Sequence, residues 1–211
     1  MKLKQLVVVL TLCLFNLYRR TWTLVPKHYK SLAYVTFINA FYYYLFKRHL
    51  LWEFNPGNSN WRLVRAIHMI FVAPLLVLLY FSKLPTSNSR RIIYTFNAVI
   101  LSALIEQVIA KRNLINYKHG WNVFWSGVIY LQMYVFSLLF NKRPILTWIL
   151  SAFSVWFYIR KFKLPFTRRF LKGPYFLIFK QQRPSLLKRI KTVLYPYYSY
   201  LHKRFPLMKS L

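Results

Sequence analysis

The chain has 211 residues, 57% of them hydrophobic and 20% aromatic, with only four glycines, which is too apolar for a disordered or linker-like polymer. Its 32 Lys and Arg face two acidic residues, and ion pairs within the chain cannot neutralise the formal charge of +30. An anionic partner is implied, and because the basic residues are scattered between apolar runs with no recognition motif, lipid headgroups fit better than nucleic acid.

The first apolar run, Gln5 to Tyr18, follows Lys2 and Lys4 as a signal peptide would, but Asn16-Leu17-Tyr18-Arg19-Arg20 stands where small residues should mark a cleavage site. It reads as an uncleaved anchor. Further spans are predicted at Ser31 to Phe46, Ala66 to Phe81, Ile92 to Ala110, Asn122 to Phe140 and Ile145 to Tyr158. Only the fourth and fifth approach the roughly 20 residues that an untilted crossing needs; the others depend on flanking Tyr, Trp, Lys and Arg to reach the interfaces. The sixth is separated from the fifth by Asn141-Lys142-Arg143-Pro144 alone and could be re-entrant.

Small and polar residues recur on single faces of these runs. Thr95, Ala98, Ser102, Glu106 and Ala110 share one face of the fourth, with Asn97 on the opposite side. Similar stripes are Ala33, Thr36, Ala40 and Tyr43 in the second run, Ser126, Tyr130, Met133 and Ser137 in the fifth, and Thr147, Ser151, Ser154 and Tyr158 in the sixth. Such stripes predict close helix packing in lipid.

Residues 159–211 carry 14 Lys and Arg, no acid, and prolines at 165, 174, 184, 196 and 206. Leu187, Ile190, Leu194, Tyr197 and Leu201 recur at helical spacing, so a basic, proline-interrupted amphipathic tail is expected on the membrane surface. Lys188, Arg189, Lys191, Lys203 and Arg204 are its candidate headgroup-binding residues. The fold class is therefore all-α: a polytopic transmembrane bundle of five to six spans over residues 1–158, followed by that tail over 159–211.

Chemistry-bearing residues are sparse. With no Asp, one Cys (Cys13), five dispersed His and no Gly-rich loop, neither a Ser/His/Asp triad, a metal site, a phosphate cradle nor a cofactor is indicated. An enzyme is thus less expected than a non-enzyme. His68 reads as a packed residue. The segment Leu50 to Gly57 is expected to be an ordered loop ending in an Asn-Pro-Gly turn, with Trp52 and Phe54 at an interface belt and Glu53 paired to Lys47, Arg48, Arg62 or Arg65. Glu106 lies about 6 Å from the end of its helix, at ~1.5 Å per residue, and needs a partner there. Lys111, Arg112, Tyr117, His119, Asn122 and Ser126 are nearest along the returning chain. The candidate intramembrane polar site is Glu106, Ser102, Tyr117, His119, Asn122 and Ser126, expected to be a structural clamp.

The run from Ile105-Glu106 through Leu114-Ile115-Asn116-Tyr117-Lys118-His119-Gly120-Trp121 resembles the signature of an uncharacterised family of small polytopic membrane proteins from spore-forming Firmicutes. There a membrane Glu is followed by a short basic loop and a Tyr-x-x-Gly-Trp element that opens the next span. The resemblance extends in layout over about residues 1–140 and implies no biochemical activity. The expectation is a multi-pass protein of the cell membrane with a structural or interaction role in a bacterial envelope, contacting anionic lipid. The alternative is a small transporter or membrane-embedded enzyme handling an anionic or lipidic substrate around Glu106. Protein partners are not indicated, and homo-oligomerisation is left open.

Overall fold

A computed structural model describes residues 3–46, 49–55 and 60–164. The expected tail with Lys188, Arg189, Lys191, Lys203 and Arg204, the residues Lys47 and Arg48, and the Asn-Pro-Gly turn beyond Asn55 all lie outside the described residues. Within them the chain is all-α apart from one short β-ladder.

Six helices follow in order: α1 Leu3–Tyr18, α2 Val25–Leu45, α3 Trp61–Ser82, α4 Asn88–Lys111, α5 Val123–Lys142 and α6 Pro144–Lys161. Local chemistry sets their limits. The Asn60 side chain accepts from the Arg62 amide at 3.0 Å, and Asn122 accepts from the Trp125 amide at 3.3 Å, so each caps the helix that follows it. Pro26 and Pro144 occupy first-turn positions, where the missing N–H costs no hydrogen bond. Arg20 turns the chain out of α1 in the left-handed region (φ 51°), and the Thr21 hydroxyl donates to the Asn16 side chain at 2.5 Å to pin that corner.

Three helices, α3, α4 and α5, are long and apolar enough to cross a membrane; α1 is apolar but shorter. The expected five to six spans thus reduce to three by this measure. Helix α2 has the length, with 21 residues, but Lys27, Lys30 and a run of tyrosines lower its apolarity, and α6 ends in Arg160 and Lys161. Helix α6 also continues past the boundary expected at 158. One turn of α3, His68–Val72, is π-helical. Pro74 follows one residue later; it has no N–H for the Ile70 carbonyl and its ring would collide with that group, and the widened turn relieves both.

Small polar side chains are buried beside Val35, Leu51 and Val77 while many large apolar ones stand exposed. Among the most deeply buried side chains are Thr21, Ser31, Ser126, Ser137 and Thr147, whereas Ile93, Ile149 and Phe153 are each more than 60% exposed. The helices are joined by hydroxyls. Ser31 on α2 donates to the Ser137 carbonyl of α5 at 2.6 Å, and Tyr34 meets Ser151 of α6 at 2.7 Å. Tyr80 of α3 meets Thr95 of α4, and Ser102 of α4 meets Tyr134 of α5, both at 2.7 Å. Tyr158 of α6 donates to Gln132 of α5 at 3.1 Å. Where the helix exterior is as apolar as its surroundings, such bonds and close approach of small residues supply the association energy, roughly 0.6 to 2 kcal/mol per bond.

Two apolar clusters fill the rest. One gathers Tyr34, Val35, Val77, Tyr80, Phe81, Val99 and Tyr134 between α2, α3, α4 and α5; the other gathers Tyr43, Phe46, Leu50, Leu51, Trp121, Tyr158 and Leu164 under the loops. The stripes on α4, α5 and α6 face inward: Thr95, Glu106, Ser126, Ser137, Thr147, Ser151 and Tyr158 are all buried. The α2 stripe is corrected. Ala33 and Ala40 are exposed, and the inward face is Ser31, Tyr34, Val35 and Tyr43, because the helix begins at Val25 and its tyrosine hydroxyls find partners on that side.

The β-ladder is the element that sequence patterning missed. Strand β1 Trp52–Phe54 pairs antiparallel with β2 Ile115–Tyr117, in the register Trp52 to Tyr117, Glu53 to Asn116 and Phe54 to Ile115. Asn55 N–H to the Leu114 carbonyl (2.9 Å) and Lys118 N–H to the Leu51 carbonyl (2.8 Å) extend it. Two loops distant in sequence are thereby tied together. The rings of Trp52 and Phe54, half-buried, both pack on His68, at 5.0 and 5.2 Å between centroids.

Ser31→Ala removes one inter-helix bond and should lower unfolding free energy by about 0.5–1.5 kcal/mol. Ser31→Leu, forced into a fully buried contact, should cost about 1–3 kcal/mol or more. Thermal unfolding of the purified variants reads both, and equal stability of wild type and Ser31→Leu would contradict the packing described.

Candidate functional site

Glu106 lies five residues before the end of α4, on the face turned toward α5, and is 5% exposed. The return from α4 to α5 is built to bring donors back to it. Asn113 (φ 57°) and His119 (φ 55°) reverse the chain on either side of β2, and Gly120, at φ 80°, takes a conformation that side chains resist. Tyr117 at the end of β2 donates to Glu106 Oε1 at 2.8 Å. On the first turns of α5, Ser126 donates to the same oxygen at 2.5 Å and Tyr130, four residues on, donates to Oε2 at 2.7 Å. The Trp121 indole donates to Ser126 Oγ at 3.0 Å, which orients the serine proton toward the carboxylate.

Three hydroxyls and no cation hold this group. Among the described residues no Lys or Arg lies within ion-pair distance of Glu106, and both Lys111 and Arg112 are exposed. Of the expected site residues, Tyr117 and Ser126 reach the carboxylate and three do not. Ser102 is engaged with Tyr134 one turn earlier, Asn122 is occupied as the α5 cap, and His119 is exposed with its ring 5.8 Å from that of His49. The physical reason is the tight turn at His119 and Gly120, which lifts His119 outward while Tyr117 and Trp121 swing in. Tyr130 and Trp121 belong to the site without having been assigned to it. The signal for Tyr130 was its spacing of four from Ser126 on one helix face.

Burial pushes the Tyr117 phenol up, and the charge of Glu106 and the hydrogen bond to it push further, to well above the ordinary value of 10. It therefore remains a donor throughout the neutral range. Beside the carboxylate is a cavity of about 50 Å³, to which Asn39, His68, Glu106, Ser126 and Tyr130 contribute polar atoms. It has room for water-sized species only, since pockets for organic ligands run to several hundred Å³. His68 is buried at its wall, with Nδ1 3.3 Å from the Tyr43 hydroxyl.

The second carboxylate is organised differently. Glu53 on β1 bonds Arg65 of α3 at 2.8 Å and Lys118 after β2 at 2.7 Å. Arg65 is the partner foreseen; Lys118 arrives through the ladder, while Arg62 lies over Trp61. The Arg65 guanidinium is itself stacked on Trp61 at 4.4 Å. Partial burial pushes the Glu53 carboxyl up, and the bonds and charges of Lys118 and Arg65 outweigh this to hold it below its ordinary value of 4.5. Among the described residues no three His, Cys or Glu side chains are grouped as metal ligands. No protein-family model, curated protein or solved structure matches the chain.

Glu106→Ala leaves three hydroxyl donors without their acceptor and should cost about 3–5 kcal/mol, read as loss of folded yield. Glu106→Gln keeps one accepting oxygen and should cost less, about 1–2 kcal/mol; equal losses would show that charge, rather than the hydrogen-bond set, is what matters. For Glu53, whose folded pKa is depressed, the stabilisation is complete above its unfolded value and fades as pH falls through the folded one. Acid titration of unfolding should therefore show a decline below about pH 4.5 that Glu53→Gln removes.

Proposed function

We propose that the chain is a multi-pass integral membrane protein of the cell membrane that serves as a structural or interaction component of a bacterial envelope, with its basic C-terminal region held on anionic headgroups. The observation that carries this reading is the set of hydroxyl bonds that joins the helices, among the described residues, inside an apolar exterior. A transport path would need a hydrated cavity along the bundle, and a lipid-modifying enzyme would need a cleft for its substrate. The opening beside Glu106, about 50 Å³, suits neither.

A resemblance to the uncharacterised family from spore-forming Firmicutes is part of this proposal. Its signature residues have a common physical purpose in this chain: Glu106, Tyr117 and Trp121 belong to one hydrogen-bonded cluster, and Gly120 forms the turn that assembles it. In an arrangement of six spans with both termini in the cytoplasm, the inward segments carry 23 Lys and Arg and the outward ones 9; the whole excess comes from the 14 after residue 158, and the positive-inside rule favours that orientation. Each basic residue held near an anionic surface contributes on the order of 1 kcal/mol.

Carbonate washing should leave the chain with the bilayer, and reporter fusions at Leu211 should be active only inside the cell. A peptide covering 183–211 should bind vesicles containing anionic lipid far more tightly than neutral vesicles, with binding weakened by salt; equal binding would remove the electrostatic part of the reading. In vesicles carrying an interior pH dye, the reconstituted chain should pass protons no faster than empty vesicles do. A proton flux abolished by Glu106→Gln would replace the structural reading with one of transport.

A further inference from the structure

Asn97 is the one polar residue in the middle of α4 that the packing described above does not use. It lies about 4 Å along the axis from the helix midpoint, at ~1.5 Å per residue. Its side chain is exposed, and among the described residues it makes no hydrogen bond. Around it on the same surface are Ile93, Phe96, Ile100, Leu101 and Leu104, each more than half exposed. From 92 to 110 no other exposed position of α4 is polar. In the proposed bilayer this amide would face hydrocarbon with two donors and an acceptor unsatisfied, which is costly, and it is too short to reach the nearer headgroups about 11 Å away.

We propose that the exposed face of α4 is the interface of a homodimer, in which the Asn97 amides of two copies hydrogen-bond to each other across a two-fold axis along the membrane normal. The inference rests on the membrane reading above. A second copy is the occupant that the chemistry selects. An amide is both donor and acceptor and so complements itself, and a two-fold axis beside α4 places the same residue opposite itself. The surrounding face carries no charge and no further polar group that would favour a partner of different chemistry. Among the described residues α4 packs chiefly on α5, and its far side is exposed. A single buried asparagine likewise fixes register between paired helices.

The test uses the full chain, labelled with donor or acceptor dye and reconstituted into vesicles at graded protein-to-lipid ratios. Energy transfer should rise with protein density as a dimer curve, and Asn97→Leu should shift that curve to roughly tenfold higher density while the thermal unfolding midpoint does not fall. Asn97→Gln should restore much of the affinity. In a Cys13→Ser background, Leu101→Cys should form a disulfide-linked dimer under mild oxidation, whereas Phe153→Cys on α6 should not. A chain that inserts but stays monomeric at every density overturns the dimer alone. So does an affinity indifferent to Asn97→Leu, or cross-linking through Phe153→Cys in place of Leu101→Cys. A chain that does not float with the vesicles overturns the membrane reading and the dimer together.

Discussion

Large apolar side chains on every helix point outward, and serine, threonine and tyrosine share the positions where helices touch with valines, Ala73 and Phe81. That arrangement removes hydrophobic burial as the main force between helices if the surroundings are hydrocarbon, and leaves association to hydrogen bonds and close packing. Tyr34, Tyr80 and Tyr134 then have two tasks. The ring fills space between helices, and the hydroxyl reaches across to a small residue on the neighbour. Tyr80 shows both, stacked on Tyr134 at 4.4 Å while its hydroxyl meets Thr95.

The two acidic side chains follow from the same economy of polar groups. Glu53 is at the rim, where Lys118 is still half exposed, and two cations hold it. Glu106 is deeper, and three hydroxyls hold it without a cation. Both draw on the segment between α4 and α5, Lys118 for one and Tyr117 for the other. The ladder that ties this segment to the loop after α2 therefore fixes both carboxylates in place. Among the described residues two cations are engaged on Glu53 and none on Glu106, consistent with a cluster that organises the bundle end rather than one that exchanges charge with solvent.

Small hydrophobic and polar residues can be read from periodicity when a helix has one continuous stripe, as at Thr95, Ser102 and Glu106 on α4 or Thr147, Ser151 and Tyr158 on α6. Periodicity failed on α2, where several tyrosines in succession offer alternative faces and only the positions of Ser137 and Ser151 on neighbouring helices choose between them. It also had nothing to say about the pairing of β1 with β2, two three-residue strands about sixty positions apart with no turn joining them.

By itself the sequence determined that the chain is helical, that its apolar runs belong to helices, that Glu106 needed partners, and that the nearest ones lay in the short return to α5 or at the start of that helix; these follow from composition, helical repeat and chain length. Only the tertiary structure decided that the partners are Tyr117, Ser126 and Tyr130 rather than Lys111, Arg112 or His119. The choice depends on which way a side chain points after the turns at Asn113, His119 and Gly120. Backbone torsions at such turns reverse the outcome for adjacent residues, and nothing in the order of residues alone carries that information.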